Sequence, residues 1–206
     1  MNILVACEFS QVVTKAFRDR GHEAYSCDLL PTEGNDDWHI QADVFDVIDR
    51  HREIARLDVD RDIPKNWDMM IAFPPCTHLA VSGAKHFAQK RLDGRQQEGI
   101  DFFMLFANSD IPRVAIENPV GIMSTLWRKP DQIIHPWQFG DEFEKTTCLW
   151  LKGLPVLLPT SIVSKGEFVT TPSGKKLPKW YSDNKSAKNR SRTFRGIADA
   201  MASQWG

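Results

Sequence analysis

Glycine is missing where nucleotide-binding chains usually need it. The first apolar run, residues 2–6, passes into the turn Cys7-Glu8-Phe9-Ser10-Gln11 without one glycine. The G-x-G-x-x-G signature that wraps a pyrophosphate is therefore absent, and a dinucleotide cofactor is not expected. Cys-x-x-Cys pairs are absent too. Cys7, Cys27, Cys76 and Cys148 are widely spaced and read as reduced thiols, Cys7 and Cys27 as buried free ones at neighbouring strand ends. His22, His39, His51, His78, His86 and His135 show no ligand spacing, so no metal site is expected. No apolar run is long enough to span a bilayer, and the short MNILVA opening does not read as a secretory leader. The expectation is a cytoplasmic protein without membrane contact. No internal repeat is visible, and nothing in the sequence sets the oligomeric state.

What is present fits one domain: 206 residues, 42% of them hydrophobic, enough to bury a core without disulfides. The net charge of −1 conceals an asymmetry, because residues 165–195 carry nine Lys or Arg against two acids. Trp180 and Tyr181 lie inside that basic run, and Arg190 and Arg192 near its end. Cations interleaved with aromatics suit a phosphate backbone and unstacked bases; a solvated loop has the same composition.

Along the chain, short apolar runs alternate with helical patterns. Strands are expected at 2–6, 23–30, 39–43, 67–73, 113–119 and 147–154. Helices are expected from Gln11 to Arg20 with Gly21 as the stop, and at 46–57, 94–109 and 196–205. The interior strands are apolar throughout, which points to an α/β fold: a Rossmann-like, mostly parallel central sheet with helices on both faces. Three parts are expected: a catalytic body over 1–154, a short basic recognition segment over 155–195, and a helix over 196–206 that packs back on the body.

In such sheets ligands bind beyond the carboxyl ends of the strands. The expected rim carries Glu8 and Ser10, then Asp28, Asp43, Pro74-Pro75-Cys76 and Glu117-Asn118-Pro119. Each acid also has an ordinary structural use at a strand exit or helix cap. Together, an acid after the second strand suits ribose hydroxyls and one after the third suits an adenine amino group. S-adenosylmethionine needs both and has no pyrophosphate, and its sulfonium would favour a carboxylate such as Glu8.

Cys76 and Glu117 close successive apolar strands. A thiolate that adds to carbon 6 of a pyrimidine turns carbon 5 into a nucleophile. A carboxyl group at N3 and the 4-amino group of cytosine stabilises the charge that develops. The Pro-Pro turn ahead of the thiol fixes φ and orients the loop. Alone, Cys76 reads first as a packed core thiol; opposite Glu117 it reads as a nucleophile.

The order AFPPC (72–76), AIENP (115–119) and FGDEFEKTTCLWLKG (139–153) resembles the DNA cytosine-C5 methyltransferases, and the whole chain resembles small phage and prophage proteins of that kind. The resemblance implies Cys76 as nucleophile, Glu117 at the cytosine edge and Lys145 as the cation near the base. It implies Asp28 and Asp43 on the cofactor ribose and adenine, with Glu8, Ser10 and Phe73 beside them, and S-adenosylmethionine as cofactor. Pro75, Thr77, Asn118, Trp180, Tyr181, Arg190 and Arg192 would contact DNA, single-stranded or with a helper protein. The chain departs from that family in its glycine-free first turn, in Thr77 where the family has Gln, and in the arginines missing after Phe139-Gly140. Only about 35 residues, 155–190, stand in for a large recognition region.

Other readings stay open. Pro-Pro-Cys also resembles the thymidylate synthase turn, so a pyrimidine nucleotide is a second candidate substrate. A catalytically silent binder of nucleic acid or S-adenosylmethionine is a third possibility. Amino-methylating enzymes need an acid or amide where Phe73 stands, which disfavours them. His78 could assist proton removal from carbon 5, although a loop histidine is the plainer reading.

Overall fold

Four apolar runs pair at the centre of one sheet: β1 (Asn2–Ala6), β4 (Met69–Ala72), β5 (Arg113–Asn118) and β7 (Thr147–Lys152). The structure, a computed structural model, describes residues 1–48, 63, 64, 66–184 and 186–206. β2 (Glu23–Asp28), β3 (His39–Gln41) and β6 (Gln132–Ile134) complete a seven-stranded sheet of order β3-β2-β1-β4-β5-β7-β6. β7 alone runs against its neighbours β5 and β6; the other pairings are parallel. The fold is the expected Rossmann-like α/β sheet, and β7 is what makes it mostly rather than wholly parallel.

Helices cover both faces. α1 (Val12–Arg18) and α8 (Arg195–Trp205) bury Val13, Phe17, Ile197, Met201 and Trp205 on one face. α2 (Val44–Ile48), α4 (Arg95–Ala107) and α5 (Met123–Leu126) pack with Leu4, Met70, Phe103, Phe106 and Trp150 on the other. α3 (Phe87–Leu92) precedes α4. An antiparallel hairpin, β8 (Phe168–Thr170) and β9 (Lys176–Pro178), leads into α6 (Lys179–Asp183) and α7 (Ala187–Ser191). The α8 N-terminus passes directly over the Phe139 carbonyl. A Cβ at Gly196 would lie 1.8 Å from that oxygen, so only glycine permits the crossing.

Several boundaries differ from expectation for identifiable reasons. Gln11 is not helical: it sits at φ 58°, and α1 starts at Val12. Its amide instead binds Ser26 and both backbone groups of Asn35. The second strand stops at Asp28, because Asp28 Oδ1 accepts the Leu30 N–H at 2.9 Å and turns the chain. The third stops at Gln41, and Asp43 accepts the Phe45 N–H at 3.0 Å ahead of α2. The helix expected over 46–57 falls largely outside the described residues. Among the described residues no helix is long and apolar enough to cross a membrane.

Candidate active site at the carboxyl rim

Strand order reverses between β1 and β4, where neighbouring crossovers leave on opposite faces and a crevice opens. Phe73 N–H donates to the Ala6 carbonyl at 3.0 Å at this point. Beyond it the chain leaves the sheet as Pro74-Pro75-Cys76. Ala72 pairs with Ile116, so Glu117 stands one residue past the last β4–β5 pair, beside the root of the cysteine loop.

That loop is held by bonds to its carbonyls. Asn118, 2% exposed, donates from Nδ2 to the Pro74 carbonyl at 2.8 Å. The Lys90 ammonium, on α3 and 7% exposed, donates to the Thr77 carbonyl. Gln96 donates to the His78 carbonyl at 3.4 Å, and the Ile122 N–H to that of Leu79 at 3.0 Å. The Cys76 carbonyl accepts from the Leu79 and Ala80 N–H groups. Gly121 permits this approach, because a Cβ there would lie 2.6 Å from the Leu79 carbonyl. Thr77 and Pro75 face solvent, while Cys76 is half-buried.

Burial pushes the Cys76 thiol above its ordinary value, and the Glu117 charge pushes it further. Lys145 and then Arg190 act the other way. Burial likewise raises the Glu117 carboxyl, opposed by Lys145 and by a hydrogen bond from the Thr147 side chain. The Cys76 thiol thus feels the charges of both Glu117 and Lys145, and the Glu117 carboxyl feels that of Lys145. Phe73, Glu117, Lys145 and Thr147 line a narrow cavity, closed by Ser191, Thr193, Phe194, Ile197 and Met201.

The cofactor-side residues occupy the other half of the rim. Asp28 ends β2 and Asp43 follows β3, half-buried and exposed respectively. The first turn is tight despite lacking glycine, because Cys7 at φ 60° and Gln11 at φ 58° adopt the left-handed conformation, a conformation costly for such residues. Glu8, 4% exposed, lies beneath this turn. Its carboxylate accepts from the Val13 N–H (2.7 Å), the Thr14 N–H (3.1 Å) and the Thr14 hydroxyl (2.7 Å), satisfying the open N-terminus of α1. Ser10 also bonds to it. Glu8 therefore caps a helix, a use its position before an amphipathic run could have signalled. The thiols of Cys7 and Cys27 are free and burial raises both, that of Cys27 to about 12.

In the basic segment, Trp180 is an anchor. Its indole N–H donates to the Glu144 carbonyl at 3.0 Å, and its ring packs edge-on against Phe143 and Phe194. Tyr181 is 41% exposed, with the Arg190 guanidinium 4.7 Å from its ring centre. Arg192 pairs with Glu33. Among the described residues, five of these basic side chains pair with acids: Lys165 with Glu144, Lys179 with Glu167, Lys188 and Arg192 with Glu33, and Arg195 with Asp19 and Asp199. Sequence reading missed Lys90, Gln11 and Glu33, whose partners lie far along the chain or on backbone carbonyls. Among the described residues no three His, Cys, Asp or Glu side chains gather into a metal-binding group.

No protein-family model matches the chain, and no curated protein matches it. Among solved structures it is similar to an E. coli protein described as a candidate DNA modification methyltransferase encoded within a prophage. The TM-score is 0.47 and the identity 13%, over 80% of this chain and 52% of that one. The chain thus spans about half the length of that protein.

Proposed function

We propose that the chain is an S-adenosylmethionine-dependent methyltransferase acting on carbon 5 of cytosine in DNA. One observation carries this reading: Cys76 follows β4 at the switch point, Glu117 stands near the end of the adjacent β5, and the Glu117 charge raises the Cys76 thiol. A core thiol would have no need of a half-buried acid beside it or of a loop fixed at four successive carbonyls.

The donor set fits the cofactor. Asp28 at the end of β2 and Asp43 two residues past β3 would take the ribose hydroxyls and the adenine amino group, and Phe73 would form the apolar wall between them and Glu117. When bound, S-adenosylmethionine supplies an electrophilic methyl group. The protein's own residues do the rest. Cys76 adds as thiolate to carbon 6, and Glu117 in its protonated form donates its O–H to N3 and so stabilises the electron density displaced into the ring. The two requirements reinforce each other: a proton on Glu117 removes the charge that suppresses Cys76 ionisation. Moving one proton from thiol to carboxyl therefore reaches the reactive state without changing the site's net charge. Lys145 favours the ionised form of either group.

The body over 1–154 carries this chemistry in the proposal, and the basic segment over 155–195 contacts DNA through Tyr181, Arg190 and Arg192. Incubation with S-adenosylmethionine and an oligonucleotide containing 5-fluorocytosine should trap a covalent complex, and Cys76→Ala should abolish it. Absence of an adduct with both single-stranded and duplex substrates overturns the proposal. An adduct formed only with the free nucleotide would transfer the same chemistry to a nucleotide-modifying enzyme.

A further inference from the structure

The loop after β2 presents an acid to two cations from the far end of the chain. Glu33 Oε1 lies 3.0 Å from Lys188 Nζ, and Glu33 Oε2 lies 2.5 Å from an Arg192 guanidinium nitrogen. Both cations also lie over the Phe9 ring, 5.0 and 5.8 Å from its centre. This seat is rigid: the Phe9 carbonyl accepts the Glu33 N–H at 2.9 Å and the Thr32 hydroxyl at 3.0 Å. Gln11 pins Asn35 beside it.

From that seat, residues 186–194 cross the carboxyl rim like a strap. Lys145 donates to the Arg190 carbonyl at 3.3 Å on the catalytic side. Phe194 packs against Phe143 and Trp180 at the far end. Ser191, Thr193 and Phe194 roof the cavity over Glu117, whose free volume is ≈ 10 Å³. That is room for about one water and far too little for a pyrimidine ring.

Two carboxylate oxygens shared between an ammonium and a guanidinium present the same pattern as the two unesterified oxygens of a phosphodiester. We infer that Lys188 and Arg192 form a phosphodiester-binding pair for the nucleic-acid substrate, and that Glu33 is the internal anion occupying it in the free protein. Backbone phosphate and Glu33 then compete for the same two cations. Exposed ion pairs are weak and exchange readily, whereas a polyanion adds the release of its own counterions. Exchange frees the strap from its seat and opens the roof over Glu117. The inference rests on DNA being the substrate; it goes beyond that reading in coupling arrival of the substrate to access to the site.

The test is a double-mutant cycle read by fluorescence anisotropy, with labelled single-stranded and duplex oligonucleotides in separate arms and the full chain throughout. Glu33→Gln, isosteric and exposed, should tighten binding by about two- to fivefold, the equivalent of one exposed ion pair, and steepen its salt dependence. In the Lys188→Gln/Arg192→Gln background the same substitution should change nothing. Equal tightening in both backgrounds would be general charge repulsion and would overturn the inference, as would no tightening in either. Lack of binding by every variant overturns it as well. The readout needs no chemistry, so a failed 5-fluorocytosine adduct would remove methyl transfer and leave the phosphate site to be judged by the cycle.

Discussion

The side-chain amide of Asn118 and the carbonyl of Pro74 are joined by a buried 2.8 Å hydrogen bond. It ties the end of β5 to the first residue of the cysteine loop. Asn118→Ala should cost about 1–3 kcal/mol, because a buried carbonyl loses its donor. It should also slow adduct formation by about 10²-fold, since a displacement near 1 Å is enough to do so. Asn118→Asp should be worse in both respects, placing a second carboxylate beside Glu117 and against a carbonyl oxygen. Single-turnover trapping and thermal melting measure the two effects.

Lys90 supports the same loop from α3 by donating to the Thr77 carbonyl. Lys90→Met keeps most of the length of the side chain and removes the ammonium group, donor and charge together. The expected result is a 10- to 10²-fold slower adduct with oligonucleotide affinity unchanged within about twofold, because a buried lysine contributes little to a phosphate surface. An affinity loss matching the rate loss would make Lys90 a DNA contact instead.

Lys145 lowers the proton affinity of both Cys76 and Glu117. In Lys145→Met both groups hold their protons to higher pH, so less thiolate exists at any given pH. The rising limb of the adduct rate against pH should shift to the alkaline side and recover near its far end. A uniform loss at all pH values would show that Lys145 acts by contact rather than by charge.

Buried Glu8 and half-buried Glu117 are both raised by burial, yet truncating the first and neutralising the second should act oppositely on stability. Glu8 accepts three hydrogen bonds at the start of α1. Glu8→Ala orphans two N–H groups at about 1–3 kcal/mol each, with the loss visible in cofactor-free protein. Glu117 has its pKa raised above the ordinary 4.5. Its folded form therefore binds the proton more tightly than its unfolded form, and stability falls as pH rises from about 4.5 through the folded pKa. Glu117→Gln removes that loss. Its Tm should exceed that of the parent chain at pH 7 and match it near pH 4, by about 2–4 °C for each kcal/mol in a chain of this size.

The central strands were legible because each has an apolar middle; Asp28 ends β2, whereas Glu117 lies inside β5 and Asp43 stands two residues past β3. β6, only three residues long, and the β8–β9 hairpin gave no comparable signal. Tertiary partners also decided what local pattern could not. Gln11 looked like the first residue of a helix, yet its amide is taken up by Asn35 and Ser26 from the next crossover. The run of positive charge read as an open surface, yet acids outside that run, Asp19, Glu33, Glu144 and Asp199, meet much of it. Spacing along a chain carries no information about which distant acid will meet which cation.

The packing of α8 on α1 has a consequence for biogenesis. Ile197, Met201 and Trp205 complete the same apolar cluster as Val13 and Phe17, so the first crossover to be synthesised waits for residues from 195 onward to cover it. Until those residues leave the ribosome, one face of the sheet stays wet. Such closure at long sequence separation is slow, and a nascent chain in that state is open to aggregation. The half-made protein should therefore depend on chaperones more than its size alone would suggest.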